Sequence, residues 1–188
     1  MMKRWAVFIS GTGSNMTAIL EKQNLAHVSL VVSSNPNAYG LKRAKRRSVP
    51  TIVFNSKLHS DNALNTWNDL IETLKSHNIN NIMLAGFMKI LPPEFIKAFE
   101  GRIFNIHPST LPDYPGLQSI ERAFHDKKHT GCSVHLVDEG VDTGKVLFQK
   151  KVPLEKNLEW TKMMVHIQEH KLSRKVLNLC FEDNSHEK

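Results

Sequence analysis

The feature that most constrains this chain is a repeated order: a short apolar run, a polar turn, then a segment with helical spacing. Runs of this kind are Trp5 to Ser10, Val28 to Ser33, Thr51 to Phe54, Asn81 to Ala85 and Arg102 to His107. Between them lie a periodic segment through Ile19 and Leu20, a basic one from Ala38 to Arg47, and one from Ala63 to Lys75 that Ser60 or Asp61 can cap. Another follows Pro92-Pro93 and runs through Phe99, with proline tolerated in a first helical turn. Strands that alternate with helices bury both of their faces in a parallel sheet covered on each side. The expectation is an α/β fold: a single Rossmann-like domain with a mostly parallel sheet and helices on both faces.

The remaining chain reads as an extension of that sheet. Gln118 to Phe124 is a short helix, and Thr130 to Val137 a strand that carries Ser133 and His135 on one face. Asp138-Glu139-Gly140-Val141-Asp142-Thr143-Gly144 is an acidic, glycine-containing loop. The alternation in Lys145 to Val152 suggests an antiparallel, hairpin-like final strand. Asn157 to Phe181 reads as mostly helical, with Met163, Ile167, Val176 and Leu177 as its apolar stripe. The domain is expected to span 1–181, with 182–188 as a polar tail.

Sheets of this class bind ligands beyond the carboxyl ends of their strands, and three stretches fall there. The first is Gly11-Thr12-Gly13-Ser14-Asn15, between a strand and a helix. Such a loop brings backbone N–H groups close to a phosphate. Met16 occupies the third glycine position of the dinucleotide fingerprint, so the loop suits a single phosphate better than a pyrophosphate. The bland reading is a tight turn with Ser14 or Asn15 as a helix cap.

The second stretch is Phe104-Asn105-Ile106-His107-Pro108-Ser109-Thr110-Leu111-Pro112-Asp113-Tyr114-Pro115-Gly116. Asn105 and His107 alternate with apolar neighbours, so both leave one strand face, and Pro108 ends the strand. An amide can stabilise a developing oxyanion, and a histidine can carry a proton near neutral pH. The alternative is that both merely satisfy the loop backbone. Met88–Leu91 stands at a third strand end. His135 is either a neighbour of this group or a hydrogen-bonded structural histidine.

Composition narrows the classes. The 188 residues carry a formal net charge of +7, which favours anionic ligands. Part of that charge is the run Lys42-Arg43-Ala44-Lys45-Arg46-Arg47, read as a solvated helix face because it has no interleaved aromatics to stack nucleic acid. Cys132 and Cys180 stand in apolar surroundings, as buried thiols of a reducing compartment do. No apolar run reaches transmembrane length, and the N-terminal apolar segment is short for a secretory signal. A cytoplasmic protein with no nucleic-acid or membrane partner is expected. His107, His125, His129 and His135 lack a tight zinc spacing, so no metal site is expected. A nicotinamide-dependent oxidoreductase is disfavoured by Met16 and by Ser33-Ser34-Asn35, where a ribose-binding acid would stand.

Taken together, the motifs resemble the phosphoribosylglycinamide formyltransferases, a branch of the folate-dependent formyltransferases. The resemblance rests on Ile9-Ser10-Gly11-Thr12-Gly13-Ser14-Asn15, Leu84-Ala85-Gly86-Phe87-Met88-Lys89-Ile90-Leu91 and Asn105-Ile106-His107-Pro108-Ser109-Thr110-Leu111-Pro112. Tyr114-Pro115-Gly116-Leu117, Gly131-Cys132-Ser133-Val134-His135, Asp142-Thr143-Gly144 and Gln168-Glu169-His170 follow in the family order. The resemblance implies the formyltransferase fold, acting as monomer or homodimer on small molecules. It implies transfer of a formyl group from 10-formyltetrahydrofolate, a co-substrate, to the amine of glycinamide ribonucleotide in purine biosynthesis.

It also implies roles. Gly11, Thr12, Gly13, Ser14 and Asn15 would hold the substrate phosphate, and Gln168 and Glu169 its ribose or glycinamide end. Met88, Lys89, Ile90 and Leu91, with Asp138, Glu139, Gly140, Val141 and Asp142, would line the folate site next to Asn105. Asn105, His107 and Asp142 would be the catalytic group. Asn105 would donate to the formyl oxygen, His107 could donate a second bond, and Asp142 would orient His107 and relay a proton through water. Relatives often place an arginine against the folate glutamate tail in the stretch corresponding to 54–67; this chain has none there, and Lys57 is the nearest substitute. The chain also stops soon after its last helix, where many relatives continue.

Overall fold

The computed structural model describes residues 4–21, 27–54, 63–64 and 66–182. Its eight strands are β1 (Arg4–Ile9), β2 (His27–Ser33), β3 (Thr51–Phe54), β4 (Ala63–Leu64), β5 (Asn81–Leu84), β6 (Ile103–His107), β7 (Thr130–Leu136) and β8 (Val146–Val152). They form one sheet in the order β4-β3-β2-β1-β5-β6-β7-β8. Pairing is parallel from β4 through β6 and antiparallel for β6–β7 and β7–β8. The helices are α1 (Ser14–Leu20), α2 (Tyr39–Lys45), α3 (Trp67–Ser76), α4 (Pro93–Ala98), α5 (Ser119–His125) and α6 (Leu158–Glu182). Among the described residues, no helix is long and apolar enough to cross a membrane.

The alternation of β1 shows how both faces are used. Trp5, Val7 and Ile9 pack with Met16, Ile19, Met83, Phe104, Val176 and Leu177 on the face covered by α1 and α6. Ala6 and Phe8 pack with Leu70, Leu74, Phe95 and Phe99 on the face covered by α3 and α4. Fully burying one large apolar side chain stabilises by about 1.5–3 kcal/mol, so a central strand buried on both faces anchors the domain.

Two expectations are corrected. Ala63–Leu64 do not open a helix; they form a short strand parallel to β3. The helix starts at Trp67 because Thr66 and Asp69 make a reciprocal capping box, with bonds of 3.1 and 3.2 Å. Ser60 and Asp61 lie outside the described residues. On α6, Met163 and Ile167 are exposed, as is Trp160. The buried row is instead Thr161, Val165, Glu169, Ser173, Val176 and Leu177. Hydroxyls can enter that row because the backbone satisfies them: Ser173 Oγ donates to the Glu169 carbonyl and Thr161 Oγ1 to Asn157.

Cys132 is buried, and burial together with the nearby Glu169 charge pushes its thiol up to about 12, an inert group. The side chain of Cys180 lies outside the described residues.

Candidate active site

β6 ends at the sheet's carboxyl edge. Its residues alternate: Phe104 and Ile106 face the α1–α6 side, so Asn105 and His107 face the opposite side. Across the antiparallel ladder Asn105 pairs with His135, and His107 with Ser133. Four polar side chains therefore stand together on one face, where strands nearer the centre carry apolar ones.

The loop between β7 and β8 starts at the amino end of β6, where Val137 N–H bonds Ile103 O. It folds back so that Asp142 reaches this cluster. Two features shape the return. Asp138 Oδ1 accepts from Gly140 N–H at 3.1 Å and Thr143 Oγ1 at 2.7 Å. Gly144 lies so close to Leu136 that a Cβ would sit 1.8 Å from its carbonyl oxygen. Asp142 itself adopts a left-handed φ of 57°.

The Asp142 carboxylate is the hub. Asn105 Nδ2 donates to Oδ1 at 3.1 Å, and His135 Nε2 lies 3.4 Å from the same oxygen. His107 Nδ1 lies 3.2 Å from Oδ2, which also accepts from Gly116 N–H at 2.8 Å. Burial opposes the charge. The His135 contact, the Gly116 N–H and the field of His107 outweigh burial and hold the carboxyl at about 2.

The other ring atoms are also engaged. His135 Nδ1 meets Leu136 O at 2.7 Å, and its Nε2 lies 3.1 Å from Asn105 Nδ2 as well as beside the carboxylate. His107 Nε2 lies 2.9 Å from Tyr114 O. Both His107 nitrogens thus face oxygen atoms, which fix the orientation of the ring. Neither Asn105 nor His107 has a donor free of a protein partner here. Asp138, expected to line a ligand site, is occupied in shaping its own loop.

The glycine loop lies at the same edge. Gly13, with φ of 69°, precedes α1, and Gly40 N–H bonds Gly11 O at 3.0 Å. A Cβ on Gly40 would sit 2.4 Å from Ile9 Cδ1 and 3.2 Å from Gly13 Cα, so α2 packs closely against the loop at this glycine. Gly11 and Thr12 are exposed, whereas Asn15 is buried and its Oδ1 has no hydrogen-bond partner among the described residues. Ser10 Oγ accepts from Met88 N–H at 2.8 Å, which ties this loop to the 86–91 segment. That segment leaves β5 beside Asn105, since Leu84 pairs with Asn105. Met88 is 68% exposed and Ile90 80% exposed, and Leu117 and Val141, flanking Gly116 and Asp142, are exposed too. Large apolar side chains thus ring a buried polar cluster, the composition of a small-molecule site. Lys89 and the buried Leu91 complete that segment.

A match to the formyl transferase family model covers residues 3–177. The chain belongs to the formyl transferase family. Among its relatives is the phosphoribosylglycinamide formyltransferase of Bacillus subtilis, 38% identical over 177 residues and 90% of each chain. The trifunctional purine biosynthetic protein adenosine-3 of Drosophila melanogaster is 44% identical over 161 residues, but this chain spans only 12% of that protein's length. The crystal structure of glycinamide ribonucleotide transformylase 1 from Geobacillus kaustophilus superposes with a TM-score of 0.87 at 40% identity, covering 96% of this chain and 99% of that one.

Gln168 and Glu169 sit apart from the Asp142 hub. In this formyl transferase Glu169 is buried on α6 and its carboxylate is paired with His166, whose pKa that bond raises. Lys57 lies outside the described residues. Among the described residues, no group of three or more His, Cys, Asp or Glu side chains is placed to hold a metal ion. Sequence reading did not find Gly116 N–H and Tyr114 O, because main-chain groups carry no residue signature; the left-handed turn around Gly116 was the available sign.

Proposed function

We propose that this chain transfers the formyl group of 10-formyltetrahydrofolate to the amine of glycinamide ribonucleotide, a step of purine biosynthesis. The observation that carries the reading is the Asp142 hub, where Asn105 and His107 from β6 meet an ionised carboxylate from a loop 37 residues beyond Asn105. The exposed glycine loop and the apolar ring at the same sheet edge support it. Gly11, Thr12, Gly13, Ser14 and Asn15 hold the phosphate, and Gln168 and Glu169 the ribose or glycinamide end. Met88 to Leu91 and the loop from Asp138 to Asp142 cover the folate. Residues 1–181 form the formyltransferase domain and 182–188 its tail, of which 183–188 lie outside the described residues. The protein works in the cytoplasm as monomer or homodimer.

The chemistry follows from the geometry. The amine attacks the formyl carbon, and negative charge develops on the formyl oxygen. Asn105 turns one Nδ2 hydrogen from His135 or Asp142 to that oxygen, a donor typically worth about 3–4 kcal/mol. His107, held by Asp142 and Tyr114 O, stands beside Asn105 on the same strand face. The C–N10 bond then breaks, a proton leaves the amine, and one reaches N10 of the folate. A carboxylate held at about 2 does not store that proton; it hands it on through water.

The test is a transfer assay with 10-formyltetrahydrofolate and glycinamide ribonucleotide, read by folate absorbance, with Asn105→Ala as control. Turnover that needs both substrates and falls by about 100-fold or more in the control is expected. Folate binding without any reaction with glycinamide ribonucleotide would refute the acceptor.

A further inference from the structure

The turn from Tyr114 to Gln118 supplies two main-chain groups to the hub, yet it is an awkward piece of backbone. Tyr114, Gly116 and Gln118 all have positive φ, at 53°, 76° and 55°. Two of these are not glycine, and each such residue costs about 1–3 kcal/mol unless its surroundings impose the conformation. The imposing contacts come from α5. Arg122 Nη1 donates to Pro115 O at 2.7 Å and lies 3.4 Å from Leu117 O, the carbonyls on either side of Gly116. Its guanidinium carbon is 5.4 Å from the centroid of the Tyr114 ring. Four residues on, Asp126 Oδ2 accepts from Tyr114 Oη at 3.0 Å. One helical turn thus holds the ring, the hydroxyl and both carbonyls of the segment.

We propose that Arg122 is a positioning residue for formyl transfer: it clamps the 114–118 turn so that Gly116 N–H meets Asp142 and Tyr114 O meets His107. The catalytic half of this inference rests on the proposed function. Arg122 touches no reacting atom. A planar guanidinium is suited to the task because its rigid fork reaches two carbonyls while its flat face stacks on a ring, a geometry a compact ammonium on a flexible stem holds less firmly. The expected signature is a loss mainly in kcat with little change in KM, since the clamp orients the side chains of His107 and Asp142, which the proposed function uses in the transition state.

The experiment follows the Gly116 amide by NMR in ¹⁵N-labelled protein, beside steady-state kinetics. In the wild type this amide, bonded to a carboxylate, exchanges slowly and resonates downfield. Arg122→Met keeps the stem and removes both donors. It should speed Gly116 exchange by about tenfold, move the resonance upfield and lower kcat by about tenfold, with KM within about twofold. Arg122→Lys retains the charge and an N–H donor group but loses the planar stack; it should lie between the two, and it is read the same way if Arg122→Met does not fold. A wild-type Gly116 amide in the variant overturns the clamp. A changed amide with unchanged kcat overturns its catalytic role. Absence of formyl transfer in the wild type would sink the proposed function and that role together, while the amide would still decide the clamp.

Discussion

The two ends of the sheet follow different rules. From β4 to β6 the strands are parallel, and the central ones, β2, β1 and β5, bury mostly apolar side chains on both faces. From β6 to β8 they are antiparallel, and one face carries Asn105, His107, Ser133 and His135. The first region gains from burial alone. The second can bury polar groups only because they satisfy one another: Ser133 Oγ donates to Ser109 O and accepts from Leu111 N–H, and Asp142 gathers Asn105, His107 and Gly116. On the proposed function, the loops after β1 and β5 of the parallel region hold the substrates, and the antiparallel end supplies the polar side chains that act on the formyl carbon.

If that division is right, substitutions at the two ends should separate activity from stability. Asp142→Ala removes the partner of four groups at once, Asn105, His107, His135 and the Gly116 N–H. Formyl transfer should fall by about 1,000-fold or more, with an unchanged far-ultraviolet circular dichroism spectrum. A loss smaller than tenfold would move the chemistry away from this end. Phe8→Ala, at a fully buried site in β1, should do the reverse. Urea titration should show a loss of about 3–5 kcal/mol, while kcat of the folded fraction stays near wild type.

The pH dependence sharpens the contrast. Asp142 is depressed from 3.8 to about 2 in the fold, so its contribution is fully present above the unfolded value and is lost as pH falls through the folded one. That contribution is about 2 kcal/mol. Unfolding free energy should therefore drop between about pH 4 and 2, and Asp142→Asn should flatten that drop. An equally steep fall in the variant would assign the acid sensitivity to other carboxylates. The smallest effect is expected at Thr66→Ala, which breaks the α3 capping box and should cost about 1 kcal/mol without changing kcat.

Legibility followed the range of the interactions. Strands β1, β2, β3, β5 and β6 were readable because an apolar run bounded by turn residues is a local signal. The start of α3 was not, since a capping box at Thr66 competes with apolar spacing that begins at Ala63. On α6, Val176 and Leu177 were placed correctly, but hydrophobicity also put Met163 and Ile167 inward, whereas hydroxyls bonded to the helix's own backbone let Thr161 and Ser173 occupy the buried row. At the site, Asn105 and His107 were readable as a pair because they share a strand face two residues apart. The residue family of Asp142 was reached through resemblance, and its contacts only through the fold.

By itself, then, the sequence determined the parallel scaffold, the glycine loop and the candidate side chains on β6, because period and turn chemistry act over a few residues. Only the tertiary structure decided that β7 runs antiparallel, that its following loop returns Asp142 to β6, and that Arg122 holds the turn presenting Gly116. Those outcomes depend on which distant groups complete each other's hydrogen bonds, and that is settled when the sheet closes around them.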